Sequence, residues 1–322
     1  MKRLLQTLAL AVAAACSAAA DAQNYPAKPI RMVIPYAAGG SGDFSFRAVS
    51  QAIEARLGQR FVVDNRAGAS GNIGAADVAR AAPDGYTLLY GATNNFVANQ
   101  FLYKNMGFDP LQVFTPVTMV SNAPTVFIVN ASLPFKTLQE LVAYAKANPG
   151  KLNYGSPGMA TPPHLAGELL SRQAGISMVH VPFKGAGPVV QALLANDIQM
   201  YFTAITPAAG HIKSGKLRAL AVASPVRLEA IPDVPTTAEA GYPELLTGNW
   251  WAVAAPRDTD PYIVERLASE IRRALAEPSV KQRFVELGMV AGGQSPAEFR
   301  QFLQAEAVRW KKIIEATGVV AE

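Results

Sequence analysis

The sequence predicts an α/β protein of two lobes joined by two crossovers, with a cleft between them. Three observations carry this. Short β-branched runs alternate with longer amphipathic ones, the pattern of βαβ units. The alternation occurs in two separate series. The tail then holds a single strand and three helices, too few strands for a third domain, so it returns to complete the first lobe. A chain of 322 residues, half of them hydrophobic, is long enough for two such cores.

The first series opens with a strand at Ile30–Ile34, a helix from Asp43 to Leu57 and a strand at Phe61–Asp64. A helix from Asn72 to Ala81 follows. The turn Pro83-Asp84-Gly85 then leads into a strand at Tyr86–Tyr90, and a largely parallel sheet results. The second series has strands at Thr125–Val129, Leu152–Gly155, Met178–Val181, Ile198–Phe202 and Leu217–Ala223. Helices at Leu138–Ala147, His164–Gln173, Pro188–Ala195 and Pro207–Lys213 lie between them. The tail gives a strand at Trp250–Ala254 and helices at 261–276, 278–287 and 296–316. The expected division is therefore 1–22 as a leader, 23–124 and 248–322 as lobe 1, and 125–247 as lobe 2.

The leader is read from Lys2 and Arg3, an apolar run from Leu4 to Ala15, and the small residues Ala20 and Ala22 flanking Asp21. This is a secretory signal peptide cleaved after Ala22, and the run is too short to span a bilayer. It predicts export to the periplasm. Cys16, the only cysteine, raises lipidation as an alternative, but Ala13 to Ala15 supply no large aliphatic residue before it. Of 29 basic and 24 acidic residues, Lys2, Arg3 and Asp21 leave with the leader. The 27 and 23 that remain give a mild charge of +4, spread without the clusters that nucleic acid requires.

Ligands of open α/β sheets sit beyond the carboxyl ends of the strands, which directs attention to three strand-to-helix loops. In the first, Tyr36, Ala38, Gly39, Gly40 and Ser41 precede a helix. Glycines there let backbone N–H groups approach a ligand, and a helix start stabilises a carboxylate or phosphate. In the second, Ser156, Gly158 and Thr161 precede Pro162, Pro163 and His164, with Thr161 in the capping position. The third brings Lys184 and Gly185. Thr93 and Asn94, with Asn95, and Thr203 add polar groups at other strand ends. One partly buried helix end supplies up to ~2 kcal/mol and a hydrogen bond to a charged group ~1.5–3. Micromolar capture needs about 8 kcal/mol, so both lobes are expected to contribute. Asp43 would repel an anion and is read as a helix-start residue paired with Arg47 four residues on.

Together the segments Tyr25-Pro26-x-Lys28-Pro29-Ile30, Gly39-Gly40-Ser41-x-Asp43, Asn65-Arg66-x-Gly68-Ala69-x-Gly71, Pro83-Asp84-Gly85-Tyr86-Thr87, Pro163-His164-Leu165-Ala166-Gly167-Glu168 and His180-Val181-Pro182-x-Lys184-Gly185 resemble the Bug family of solute-binding receptors. The resemblance covers essentially all of 25–320. It implies a type II periplasmic binding-protein fold that closes on a small carboxylate, held by the Gly39–Ser41 and Ser156–Thr161 loops. It also implies delivery of that ligand, by a monomer, to the permease subunits of a tripartite tricarboxylate transporter. Thr203 stands where family members often carry Asp, which argues against a ligand amine. Phe44 and Phe46 replace smaller residues, and Phe44, Phe96, Trp250 and Trp251 are expected to wall a pocket suited to an aromatic acid or dicarboxylate.

Enzyme signatures are missing: the sequence has no Gly-x-Ser-x-Gly elbow and no Walker loop, and Gly68, Gly71 and Gly74 have the wrong spacing for a dinucleotide. His164, His180 and His211, 16 and 31 residues apart, form no metal pattern. No cofactor is expected. A hydrolase-like enzyme is the weak alternative, and input to a periplasmic sensor domain is the alternative to transport.

Overall fold

The computed structural model describes residues 25–38, 41–159, 161–183 and 186–318. The leader, with Cys16, lies outside them, as do Gly39, Gly40, Lys184 and Gly185. Two twisted sheets organise the chain. The first has the order β11-β4-β10-β3-β1-β2, from β1 (Ile30–Ile34), β2 (Phe61–Asn65), β3 (Thr87–Ala92), β4 (Phe114–Pro124), β10 (Gly248–Pro256) and β11 (Val290–Ala291). The second has the order β7-β6-β8-β5-β9, from β5 (Val126–Asn130), β6 (Asn153–Ser156), β7 (Val179–Pro182), β8 (Met200–Thr203) and β9 (Leu217–Val222).

The parallel part of the first sheet is β2-β1-β3, while β10 runs antiparallel to both β3 and β4. The eleven-residue β4 was not read from the sequence. It is buried on both faces, so it shows no alternation, and Pro116 and Pro124 resemble breaks. In the second sheet β7, β6 and β8 are parallel and β5 is antiparallel to β8 and β9.

Helices cover both faces of each sheet. Between β1 and β4 lie α1 (Ser41–Leu57), α2 (Asn72–Ala79), a π-helical turn Asn94–Ala98, α3 (Asn99–Leu102) and α4 (Pro110–Val113). The second sheet carries α5 (Leu138–Ala147), α6 (Pro162–Ala174), α7 (Ala186–Ala195) and α8 (Ala209–Lys213). The tail adds α9 (Pro261–Leu275), α10 (Pro278–Glu286) and α11 (Pro296–Thr317). On the first sheet, α1, α9 and α10 bury one face around Phe46, Ile53, Leu267 and Phe284. The π turn, α2 and α11 bury the other around Phe96, Trp250 and Phe299.

Local chemistry sets the helix ends. Ser295 and Glu298 form a reciprocal capping box at α11, and Gly318 closes it with φ 68°; only a residue without Cβ does this cheaply. Asp260 accepts from the Tyr262 N–H to start α9, ahead of Pro261.

The chain leaves the first sheet between Pro124 and Val126 and returns to it at Gly248. The two crossing segments are bonded to each other, Thr125 N–H to the Thr247 carbonyl at 3.0 Å. The Thr206 hydroxyl donates to the Leu287 carbonyl at 2.6 Å, and Leu165 of α6 is buried in the cluster with Trp250 and Phe299. The two bodies therefore touch beyond the crossings. No helix among the described residues is long and apolar enough to cross a membrane.

Candidate functional site

Strands β1 and β3 of the first sheet and β6 of the second end near one cavity of about 230 Å³ lined by Tyr36, Gly42, Ser70, Asn94, Thr161, Pro162, Asn249 and Trp251. Each strand end contributes a residue just beyond it: Tyr36 after β1, Asn94 after β3, Thr161 after β6. Gly42 lies in the first turn of α1, and Thr161 and Pro162 are the N-cap and first residue of α6. Two helix N-termini, one from each sheet, thus border a single space, as the two glycine-bearing loops led us to expect. Among the described residues, no acidic side chain lines it. A larger cavity, about 580 Å³, opens between residues 226–230 and α10. It shares no residue with the first and lies away from those strand ends.

Gly42 is fixed by packing. A Cβ there would meet the Trp251 ring at 2.3 Å, and Trp251 is itself held edge-on by Tyr36 and stacked on Tyr90. Asn249 Oδ1 and Trp251 Nε1 are buried without a hydrogen-bond partner among the described residues. Unpaired buried groups of this kind cost about 1–3 kcal/mol each. Asp43 pairs with Arg47 at 2.9 Å, as expected, so its charge is answered along α1.

The second loop is held from within. The Ser156 hydroxyl, fully buried, lies 2.7 Å from the Gly158 carbonyl and 2.7 Å from His180 Nε2. The Thr161 hydroxyl donates to the same carbonyl at 2.7 Å and makes no cap bond. Thr161 therefore occupies the capping position but spends its hydroxyl on loop closure, a correction to the expected side-chain cap. Pro162 and Pro163 remove two amide donors from the start of α6, leaving the His164 N–H as the only amide of its first three positions.

His164 is buried beneath this loop with its ring stacked on His180, centroids 3.8 Å apart and planes 8° from parallel. The β6–β7 register sets this by placing His180 opposite Tyr154. The Tyr154 hydroxyl donates to Glu168 Oε1 at 2.5 Å, and His164 Nε2 lies 3.9 Å from the same oxygen. Burial, and then the adjacent His164 ring, push the His180 imidazole down to about 4, with Glu168 opposing. Burial also lowers His164. No spacing in the sequence signals this pair.

The remaining expected residues fall into two groups. Asn94 lines the cavity and Ala38 is exposed on the first loop. Thr93 is fully buried and accepts from the Trp250 N–H at 3.1 Å, and Thr203 is buried opposite Val126. Ser41 starts α1.

The aromatic wall is corrected. Successive residues of β10 point to opposite faces, so Trp250 turns into the core against Phe96, Phe299 and Phe302 while Trp251 turns to the cavity. Phe44 is exposed on the surface. Sequence reading missed Ser70 and Asn249 as lining residues: Ser70 sits between Gly68 and Gly71 in the strand-to-helix loop after β2, which was read only as a motif, and Asn249 lies within β10.

Two α/β bodies joined by two crossing segments around a cleft define a two-lobed periplasmic binding protein. Residues 45–319 match the tripartite tricarboxylate transporter family receptor, TctC, and the chain belongs to this family. It is 37% identical to protein BugT of Bordetella pertussis over 320 residues, 99% of this chain and 98% of that one. An R. palustris protein solved with adipate superposes with a TM-score of 0.81 at 33% identity, over 92% of this chain and 99% of that one. MatC from Rhodopseudomonas palustris, with bound malate, gives 0.76 at 31% identity over 90% and 100%.

Proposed function

We propose that this chain is a periplasmic receptor whose lobes, 23–124 with 248–322 and 125–247, close on a small carboxylate. It hands that ligand to the membrane subunits of a tripartite tricarboxylate transporter without chemical change. Residues 1–22 are its export signal, and it works as a monomer. The observation that carries this reading is the pair of helix starts, α1 and α6, bordering one cavity that no acidic side chain among the described residues lines. Aligned peptide dipoles favour an anion at such ends. Similarity to proteins solved with adipate and malate supports an aliphatic dicarboxylate rather than an aromatic acid, since among the described residues only Trp251 and Tyr36 bring aromatic rings to the cavity.

In this reading Tyr36, Ala38, Gly39, Gly40, Ser41, Asn94, Gly158, Thr161, Lys184 and Gly185 form the ligand-facing set. Thr93, Ser156, His164 and Thr203, buried and internally engaged, hold that set in place. A thermal-shift screen of the mature protein against adipate, malate, citrate, nicotinate, amino acids and benzene dicarboxylates tests the proposal. At a hundred times its dissociation constant a ligand adds about 2.7 kcal/mol, so at least one acid is expected to raise the melting temperature by several degrees. A rise with sugars or metal ions alone would remove the carboxylate reading.

A further inference from the structure

Ser70 lies in neither expected loop, yet it lines the cleft cavity, and its backbone is costly. Ala69 and Ser70 are consecutive non-glycine residues in the left-handed region, at φ 47° and 51°, between Gly68 at 135° and Gly71 at 89°. Such conformations cost L-residues of order 1 kcal/mol each and persist where surrounding structure over-determines them.

The surroundings do so here. The Ser70 carbonyl accepts from Asn99 Nδ2 at 3.0 Å, Asn95 Nδ2 at 3.3 Å and the Tyr36 hydroxyl at 3.4 Å. Both asparagines are fully buried. Asn95 Oδ1 is tied to the Ala92 N–H, and Asn99 Nδ2 also donates to Asn72. The π turn, an irregularity frequent at functional sites, carries Asn95 to Ser70 and Asn94 to the cavity. A Cβ on Gly71 would strike Asn95 Nδ2 at 2.3 Å, so only glycine admits this approach.

The side chain is then left with one role. Tyr103 donates its hydroxyl to Ser70 Oγ at 2.9 Å, so Ser70 Oγ is already an acceptor and its own hydrogen is available for an acceptor in the cleft. A hydroxyl that accepts one bond becomes a stronger donor of the next.

We propose that Ser70 is a third anchor of the ligand, on the first lobe, donating to an oxygen of the bound carboxylate, and that Tyr36, Asn95, Asn99 and Tyr103 are its positioning residues. This rests on the carboxylate reading of the cleft and adds a strained, pre-set donor to the two helix ends.

The test titrates wild type, Ser70→Ala, Ser70→Gly and Tyr103→Phe with the tightest binder among adipate, malate, citrate and benzene dicarboxylate, and records urea midpoints alongside. Both Ser70 variants should bind at least about tenfold more weakly. Ser70→Gly should raise the urea midpoint, because glycine relieves the left-handed strain. Tyr103→Phe should weaken binding about threefold with the midpoint held. A purely structural residue would not combine higher stability with lower affinity. Unchanged affinity in both Ser70 variants, or a lowered midpoint in Ser70→Gly, overturns the assignment while leaving the carboxylate reading intact. Wild-type protein that binds none of the four acids overturns both.

Discussion

Replacing Glu306 with alanine should cost the protein about 3 kcal/mol. Glu306 of α11 is buried, and its Oε2 accepts from Trp250 Nε1 at 3.2 Å, Trp310 Nε1 at 3.1 Å and Arg309 Nη2 at 2.7 Å. Its Oε1 accepts from Arg309 Nε at 2.6 Å, and Arg309 in turn donates to the Leu246 carbonyl at 2.6 Å. Removing one partner of a buried charge pair costs ~3–5 kcal/mol. Arg309 can recover some hydration, so the lower end applies, while the two indole N–H groups are stranded in an apolar cluster. Leu246 and Trp250 flank the return crossing at Gly248, so the lesion also loosens the joint between the sheets. Urea unfolding should show the drop, with Glu306→Gln losing roughly half as much because one amide oxygen still accepts from an indole.

A second large effect is expected from acid. His180 has its folded pKa pushed to about 4 from an ordinary 6.5, so between these values the unfolded chain binds more protons than the native one. Stability then rises with pH across that window: the contribution is complete above pH 6.5 and is lost as pH falls toward 4. A shift of this size corresponds to ~3 kcal/mol if fully expressed. The ring is only partly buried, so about 2 kcal/mol is expected after solvent screening. His164, lowered in the same sense, adds to it, because two protonated rings 3.8 Å apart repel. Asp64, Glu239 and Glu298, whose pKa values lie below the usual carboxylate range, also weaken the fold in acid. The pair is therefore read from the difference between wild type and His180→Asn. That difference should shrink steadily from pH 6.5 to 4, and a difference independent of pH would contradict the account. Since Ser156 bonds His180 at the second loop, affinity should decline over the same range.

The sequence exposed those parts of the molecule that obey local rules. The βαβ series and the two loops at the starts of α1 and α6 were legible because strand, glycine turn and helix follow each other directly in the chain. β4 was hidden because burial on both faces erases period-two patterning, although Thr115 and Asn122 are its only partly exposed residues. The roles of Trp250 and Trp251 could not be separated, since adjacent strand residues differ only by which face meets the cavity. The His164–His180 stack and the Ser70 strap depend on register between distant segments, β6 with β7 and residues 68–71 with the π turn. Ser156 and Thr161 were legible as members of the loop that starts α6, but their hydroxyls turn inward to the Gly158 carbonyl, a contact set by the loop's three-dimensional path.

The central claim is that two helix ends recognise negative charge. Titration calorimetry of the mature protein with adipate and with its neutral diamide, nearly identical in shape, tests it most directly. The account predicts that the diacid binds at least a hundredfold more tightly than the diamide, the loss of two or more charge-assisted bonds. Equal affinity for the two, or preference for the diamide, would contradict it.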